Sequence, residues 1–260
     1  MGYTVVDVKV EGPAGIIRMN RPEKHNALSF QLLKELASAV SELEQMNEVR
    51  GIILTGSDKA FSTGADLNEA LTIDTPAKFL PYNRLFRDVT YRMEHSSKAV
   101  VAAIGGHCIT GGLEIALAAD VRIAAENATF AITSSKIGSV AGAGGTQRLP
   151  RLVGRSVAME LLFTSRYFDA AYAERIGLVT KVAPNGEVLD AARVLVDEFA
   201  TRAPLSIGWM KLAVQTGMNL DMESSLDLEA VLSAGAFGTK DKAEGMSAFL
   251  EKRTAAFIGE

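Results

Sequence analysis

The stretch Ile104–Leu149 constrains the fold more than any other part of the chain. In it an apolar strand leads to a glycine pair, the pair opens a helix, and the helix carries a lone acid. A second glycine-rich turn, GAGGTQRL, closes the run. Gly111 and Gly112 have no Cβ, so the backbone there can come close to a ligand. The first N–H groups of a helix lack intrahelical acceptors and can face an anion. Glu114 stands one helical turn beyond Gly111, within reach of whatever that N–H polarises. A donor for a developing oxyanion with a carboxylate beside it suits acyl chemistry.

The rest of the chain narrows the class. Its 260 residues, 48% of them hydrophobic, suffice for one large domain or a domain with a helical extension. The formal charge of −4 and the lack of a basic run argue against a nucleic-acid partner, which clustered Lys and Arg would have to hold. No apolar stretch reaches the roughly 20 residues that span a bilayer, so no membrane association is expected. MGYTVVDVKVEG lacks the basic-then-apolar pattern of a signal peptide, and a cytoplasmic location is expected. A single cysteine, Cys108, excludes an internal disulfide. His25, His95 and His107 are scattered without metal-ligand spacing, so no metal is expected.

Hydrophobic periodicity predicts an α/β pattern to about residue 182, followed by helices. Residues 3–10 and 15–19 flank the turn cluster EGPAG and read as a hairpin. Ser29 is placed to cap a helix whose apolar stripe is Leu33, Leu36, Val40 and Leu43. GIILT (51–55) and AVVAAI (99–104) do not alternate in polarity and read as strands buried on both faces. VRIAA (121–125) and LVTKV (178–182) read as further strands. A helix is expected over about 76–94, with the charged, twice-proline-bearing stretch 68–82 mobile. VLDAARVLVDEFA has helical period, and Asp241 with Glu244 reads as a capping pair for the last helix. No tandem sequence repeat is evident.

Four segments carry a family resemblance in order and spacing: RMNRPEKHNAL (18–28), RGIILTGSDKAFSTGADL (50–67), the 104–149 run and EGMSAFLEKR (244–253). Together they resemble the crotonase family, the enoyl-CoA hydratase/isomerase superfamily, over nearly the whole chain. The look around 142–164 is closest to hydratases, including those of the methylglutaconyl-CoA hydratase type. The resemblance implies a crotonase-like spiral of ββα units with a C-terminal α-helical region. Residues 1–195 would form the core with the active site, and 196–260 the helical region that builds a homotrimer or dimer of trimers. It implies an acyl-CoA thioester as substrate, with no separate cofactor.

Matched residue by residue, the family's two oxyanion-hole amides fall on Ala65 and Gly111. The first of its two catalytic glutamates falls on Glu114. The second is absent: Ser134 stands in its place, and Ala141 replaces a usual proline. Of Thr133, Ser134 and Ser135, strand alternation selects Ser134 to face the cavity. The resemblance assigns coenzyme A contacts to Lys24, Ala27, Thr63, Asp66, Leu67 and Gly142. Phe249 and Lys252 match tail residues that reach a CoA bound to a neighbouring subunit. His107 and Cys108 point to opposite sides of a strand and read as packing residues rather than a nucleophile pair. Asp66 and Asp120 read as structural.

The leading expectation is therefore an enoyl-CoA hydratase-type lyase working with one glutamate. A decarboxylase, isomerase or thioesterase using the same oxyanion hole is an alternative, because serine cannot hold a proton for exchange near neutral pH. A non-catalytic or RNA-binding member is a third; the intact Glu114 and both donor turns argue against decay of the site, and the acidic charge argues against RNA.

Overall fold

Strands that are apolar on both faces need cover on both faces, and the computed structural model, which describes residues 2–260, supplies it. A six-stranded sheet runs in the order β1 (Val6–Glu11), β2 (Ala14–Met19), β3 (Gly51–Thr55), β5 (Ala99–Ile104), β7 (Val121–Ala125), β10 (Lys181–Ala183). The β1–β2 hairpin is antiparallel, and every later pairing in this sheet is parallel. A second sheet of short strands runs β4 (Ala60–Ser62), β6 (His107–Ile109), β8 (Thr129–Ala131), β9 (Phe168–Asp169). Three times the chain lays one strand in the first sheet, one in the second, and then turns into helix. β3–β4 leads to α2 (Leu67–Ala70) and α3 (Pro76–His95), β5–β6 to α4 (Gly111–Ala116), and β7–β8, through a 3-10 turn at Ser134–Ile137, to α5 (Gly145–Val153). This is the expected spiral of ββα units.

Alternate residues of the central strands feed two cores. Ile52, Leu54, Val100, Ala102 and Ile104 face α3 and α1 (Phe30–Glu44), where Leu33, Leu36, Val40 and Leu43 are all buried. The N-terminus of α1 is capped as expected, Ser29 Oγ accepting from the Leu32 N–H at 3.1 Å. Ile53, Val101 and Ala103 face the other way, onto Val188, Ala192 and Val196 of α8 (Val188–Ala200). Between these lie α6 (Arg155–Thr164) and α7 (Ala170–Arg175), and the chain ends in α9 (Pro204–Gly217), α10 (Met222–Phe237) and α11 (Lys240–Glu251). Lys211 ties α9 to the sheet: its largely buried ammonium lies 2.8 Å from Asp120 and also donates to the Met93 and Lys98 carbonyls. Asp120 in turn accepts from the Val100 N–H, the structural role read from the sequence.

Two local readings are corrected. The last strand is Lys181–Ala183 rather than 178–182, because the buried Arg122 side chain takes the Leu178 carbonyl. The helix expected over about 76–94 is α3, Pro76–His95: Thr75 caps it, and Pro76 occupies its first position, where no N–H is needed. The cap of α11 is Thr239, which accepts from the Lys242 N–H, not the pair Asp241 and Glu244. Those carboxylates instead hold the C-terminal tail. Asp241, 2% exposed, accepts from the Ile258 and Gly259 N–H groups at 2.7 and 2.9 Å. Glu244 takes a bidentate bond from Arg253 and one from the Ala256 N–H.

Asp241→Ala would leave two backbone donors without their acceptor, a loss of about 1–3 kcal/mol. Denaturant unfolding should show that decrease, and limited proteolysis should cut the variant first within 253–260. An unchanged midpoint would mean that the tail does not depend on Asp241.

Candidate active site

Two turns from separate ββα units meet at one point. The first, 62–66, follows β4 and is sewn to the 25–28 segment: Leu28 N–H donates to the Gly64 carbonyl, Asp66 N–H to Leu28, and Thr63 N–H to His25. Gly64 sits at φ +96°, a conformation that costs glycine little. Asn26, fully buried and itself at positive φ, bridges Arg21 N–H and the Ala60 carbonyl and so fixes the partner segment. In this stitching the Ala65 N–H is left without an acceptor among the described residues.

The second turn enters α4. Thr110 has φ 47° and ψ −112°, a strained conformation for a β-branched residue. It is over-determined by its surroundings: Thr110 N–H donates to the Ala131 carbonyl, and its hydroxyl meets the Thr133 hydroxyl at 2.8 Å and the Thr133 N–H at 3.1 Å. The turn delivers the Gly111 N–H as the first, unpartnered donor of α4. A methyl on Gly111 would stand 3.5 Å from the Ala65 nitrogen, and one on Gly64 3.1 Å from the Gly111 nitrogen. The two free amides are therefore neighbours. Gly112 is needed for packing: a Cβ there would lie 2.5 Å from the Ser62 carbonyl oxygen.

Glu114 is 3% exposed on the buried face of α4. Its Oε1 accepts from the Ala143 and Gly145 N–H groups, each at 2.8 Å. Burial pushes its carboxyl above the usual glutamate range, outweighing those two donors and the nearby Arg148. The loop that supplies the donors is braced from outside. Arg148 donates to the Ala143 carbonyl and forms a bidentate pair with Glu94 at 2.5 and 2.7 Å, and Asn83 Nδ2 donates to the Gly142 carbonyl. Among three consecutive hydroxyls, Thr133 is bound to Thr110 and Ser135 to Ser165 and the Leu162 carbonyl. Ser134, buried at the start of its 3-10 turn, alone makes no side-chain hydrogen bond within the described residues.

The 25–28 stitching brings Lys24, Ala27, Thr63, Asp66 and Leu67 to one edge of the site, with Lys24 and Leu67 exposed. Asp66 caps α2 and pairs with Arg21 at 3.0 Å. Burial opposes its ionisation, but the bonds from Arg21 and the Asn68 N–H outweigh it and hold the carboxyl below the usual range. Gly142 is exposed on the loop beside Phe79 and Asn83. Phe249 and Lys252 stand exposed at the end of α11. His107 is exposed against Thr129, whereas Cys108 is buried and its thiol is pushed up by burial, which suits packing rather than nucleophilic attack. Sequence reading did not find Thr110, Asn83, Glu94 or Arg148. Only tertiary contacts give them a role, although the arginine of GGTQRL was a visible signal.

With this geometry in place, comparison with known proteins is informative. The enoyl-CoA hydratase/isomerase family profile matches residues 11–260. A short-chain-enoyl-CoA hydratase from Clostridium acetobutylicum is 38% identical over 252 residues, 95% of either chain. A crotonyl-CoA hydratase from Syntrophomonas wolfei is 36% identical, with both chains covered in full. The crystal structure of an enoyl-CoA hydratase from Bacillus anthracis superposes with a TM-score of 0.95 at 35% identity, covering 99% of this chain and 100% of that one. The chain belongs to the enoyl-CoA hydratase/isomerase family and has the crotonase fold. No helix among the described residues is long and apolar enough to cross a membrane.

The raised Glu114 carboxyl has a measurable consequence. Between the ordinary glutamate pKa and its raised folded value, the native state binds more protons than the unfolded chain, so stability falls as pH rises. Glu114→Gln keeps an acceptor for Ala143 and Gly145 but cannot ionise. Calorimetry should show the variant more stable relative to wild type at pH 8 than at pH 5. A constant difference would mean that Glu114 titrates as an ordinary surface carboxylate.

Proposed function

We propose that the chain is an enoyl-CoA hydratase-type lyase acting on an acyl-CoA thioester. The carrying observation is the adjacency of the two unpartnered amides of Ala65 and Gly111 to a buried carboxylate, Glu114. The thioester oxygen lies between the two N–H groups. Water attacks C3, the C2–C3 π electrons move through C1 onto that oxygen, and the two donors stabilise the resulting enolate; losing one such donor typically costs about 3–4 kcal/mol of barrier. Glu114, ionised, takes the proton from the attacking water. The enolate then collapses as C2 receives a proton from the now neutral Glu114, whose raised pKa favours holding it for that step. Ser134 presents its free hydroxyl to the water and orients it, in the place where the family's second glutamate would stand. The hydratase names of the relatives from Clostridium acetobutylicum and Syntrophomonas wolfei support the same substrate class.

The edge formed by Lys24, Ala27, Thr63, Asp66 and Leu67, with Gly142 across the cleft, holds the coenzyme A moiety, and the substrate is the only CoA species required. Phe249 and Lys252 reach the CoA of a neighbouring subunit. The assembly is a homotrimer or a dimer of trimers, with residues 196–260 as its helical interface region. Its support is the apolar surface on those helices: Met210, Val214, Met218, Val231 and Phe237 are each more than half exposed. Light scattering should give the mass of three or six chains, and a stable monomer at micromolar concentration would remove the assembly from this reading.

The uncharged Ser134 also suits a second reaction, loss of CO₂ from a malonyl-type thioester to the same enolate, because a carboxylate leaving group avoids negative charge. One substitution separates the two. Glu114→Gln should lower hydration of crotonyl-CoA by about 10²–10⁴-fold. Ser134→Glu should raise hydration on the order of tenfold by restoring an acid–base pair, and should depress any decarboxylation. Both reactions should be followed by mass spectrometry on wild type and variants. Hydration that falls in Ser134→Glu, with decarboxylation present in wild type, would reverse the assignment.

A further inference from the structure

Tyr82 is 9% exposed, and its hydroxyl has no hydrogen-bond partner among the described residues. Its ring is packed edge-to-face by Phe30, Phe79 and Phe86, with centroids at 5.3, 6.4 and 5.3 Å. Phenylalanine would fill such a socket without stranding an O–H, and a stranded buried hydroxyl lowers stability. The hydroxyl therefore calls for a partner that the folded chain does not contain.

The helix face that carries Tyr82 points at the site. Residues 79, 82, 83 and 86 share one stripe of α3, at spacings of three and four. At one end of the stripe, Asn83 donates to the Gly142 carbonyl, and Phe79 Cζ would lie 3.4 Å from a methyl on Gly142, in the loop that holds Glu114. At the other, Phe86 Cε1 would lie 3.1 Å from a methyl on Gly111, the oxyanion donor of the proposed reaction. Tyr82 sits between them. Burial, then the negative charges of Glu69, Asp66 and Glu114, push its phenol up to about 12, so it stays protonated and can donate. The same three carboxylates disfavour a further carboxylate on a ligand.

Building on the acyl-thioester reading, in which C2 and C3 are the reacting carbons, we propose that Tyr82 is a specificity-determining residue whose O–H donates to a neutral oxygen at C4 of the substrate's acyl chain. The ligand class is acyl-CoA hydroxylated at C4, as distinct from a purely hydrocarbon or carboxylate-bearing acyl group. A site built around a hydrogen-bond partner rejects the analogue that lacks it, because its own polar group is then left unpaired.

The test is calorimetric titration of the full chain carrying Glu114→Gln, to stop turnover, with and without Tyr82→Phe. The probes are butyryl-CoA, 3-hydroxybutyryl-CoA and 4-hydroxybutyryl-CoA. Loss of one hydrogen bond should weaken 4-hydroxybutyryl-CoA about tenfold and change butyryl-CoA and 3-hydroxybutyryl-CoA by less than about twofold. The melting temperature of the unliganded protein should hold or rise, since the hydroxyl has no partner to lose. Equal changes for all three thioesters would overturn the proposal, and equal losses with a lower melting temperature would assign Tyr82 a packing role only. Failure of all three to bind the Tyr82 protein would remove the acyl-thioester reading itself, and this proposal with it.

Discussion

The bond from two backbone N–H groups, Ala143 and Gly145, to one oxygen of Glu114 is the interaction on which the candidate site depends. It joins a helix of one ββα unit to the loop that ends the next. Gly145 permits it, because a side chain there would crowd both Glu114 and Ile132. The donors are positioned by Arg148, which donates to the Ala143 carbonyl of the loop and pairs with Glu94 of α3. A buried carboxylate is costly unless it is bonded. Here the two amides reduce that cost but do not cancel it, so burial still holds the carboxyl above the usual glutamate range.

The free amides of Ala65 and Gly111 rest on the opposite device, leaving bonds unmade. Every neighbour of Ala65 in its turn is stitched to 25–28, and Thr110 is held in a strained conformation by three hydrogen bonds so that Gly111 faces outward. Such strain persists only where the surroundings over-determine it. The spiral supplies those surroundings, since successive units stack their short strands β4, β6 and β8 side by side and bring their turns into register.

At the far end of the chain, charge is used for fastening. Lys211 docks α9 on the sheet through Asp120 and two carbonyls, and Asp241 and Glu244 clasp the tail. The sheet residues packed against α8 form an apolar cluster, whereas α9–α11 leave many apolar side chains in solvent. This contrast separates a helix that completes the core from helices that present a surface.

Local chemistry made much of this legible in the sequence alone. Unbroken apolar runs fixed β3 and β5 as central strands, Ser29 announced α1, and the period of 188–200 matched α8 to the residue. Glycines marked both turns that leave an amide free, and the single acid in an apolar helix marked Glu114. Alternation favoured Ser134 among three hydroxyls, but residues 134–137 form a 3-10 turn rather than a strand, and it is the bonds of Thr133 and Ser135 that leave the Ser134 hydroxyl without a partner among the described residues. What the sequence could not decide was which polar groups find partners. A carboxylate near a helix start reads as a cap, yet Asp241 bonds a segment 17 residues away, and Thr239 takes the cap instead. The ββα repeat was invisible because it is a repeat of path, enforced by parallel pairing, without a repeat of side chains. The strain at Thr110, the grip of Arg148 and the stranded hydroxyl of Tyr82 exist only once distant segments meet. Hydrogen bonding and burial depend on contacts that only tertiary structure supplies, whereas periodicity and backbone freedom are properties of each short stretch of chain.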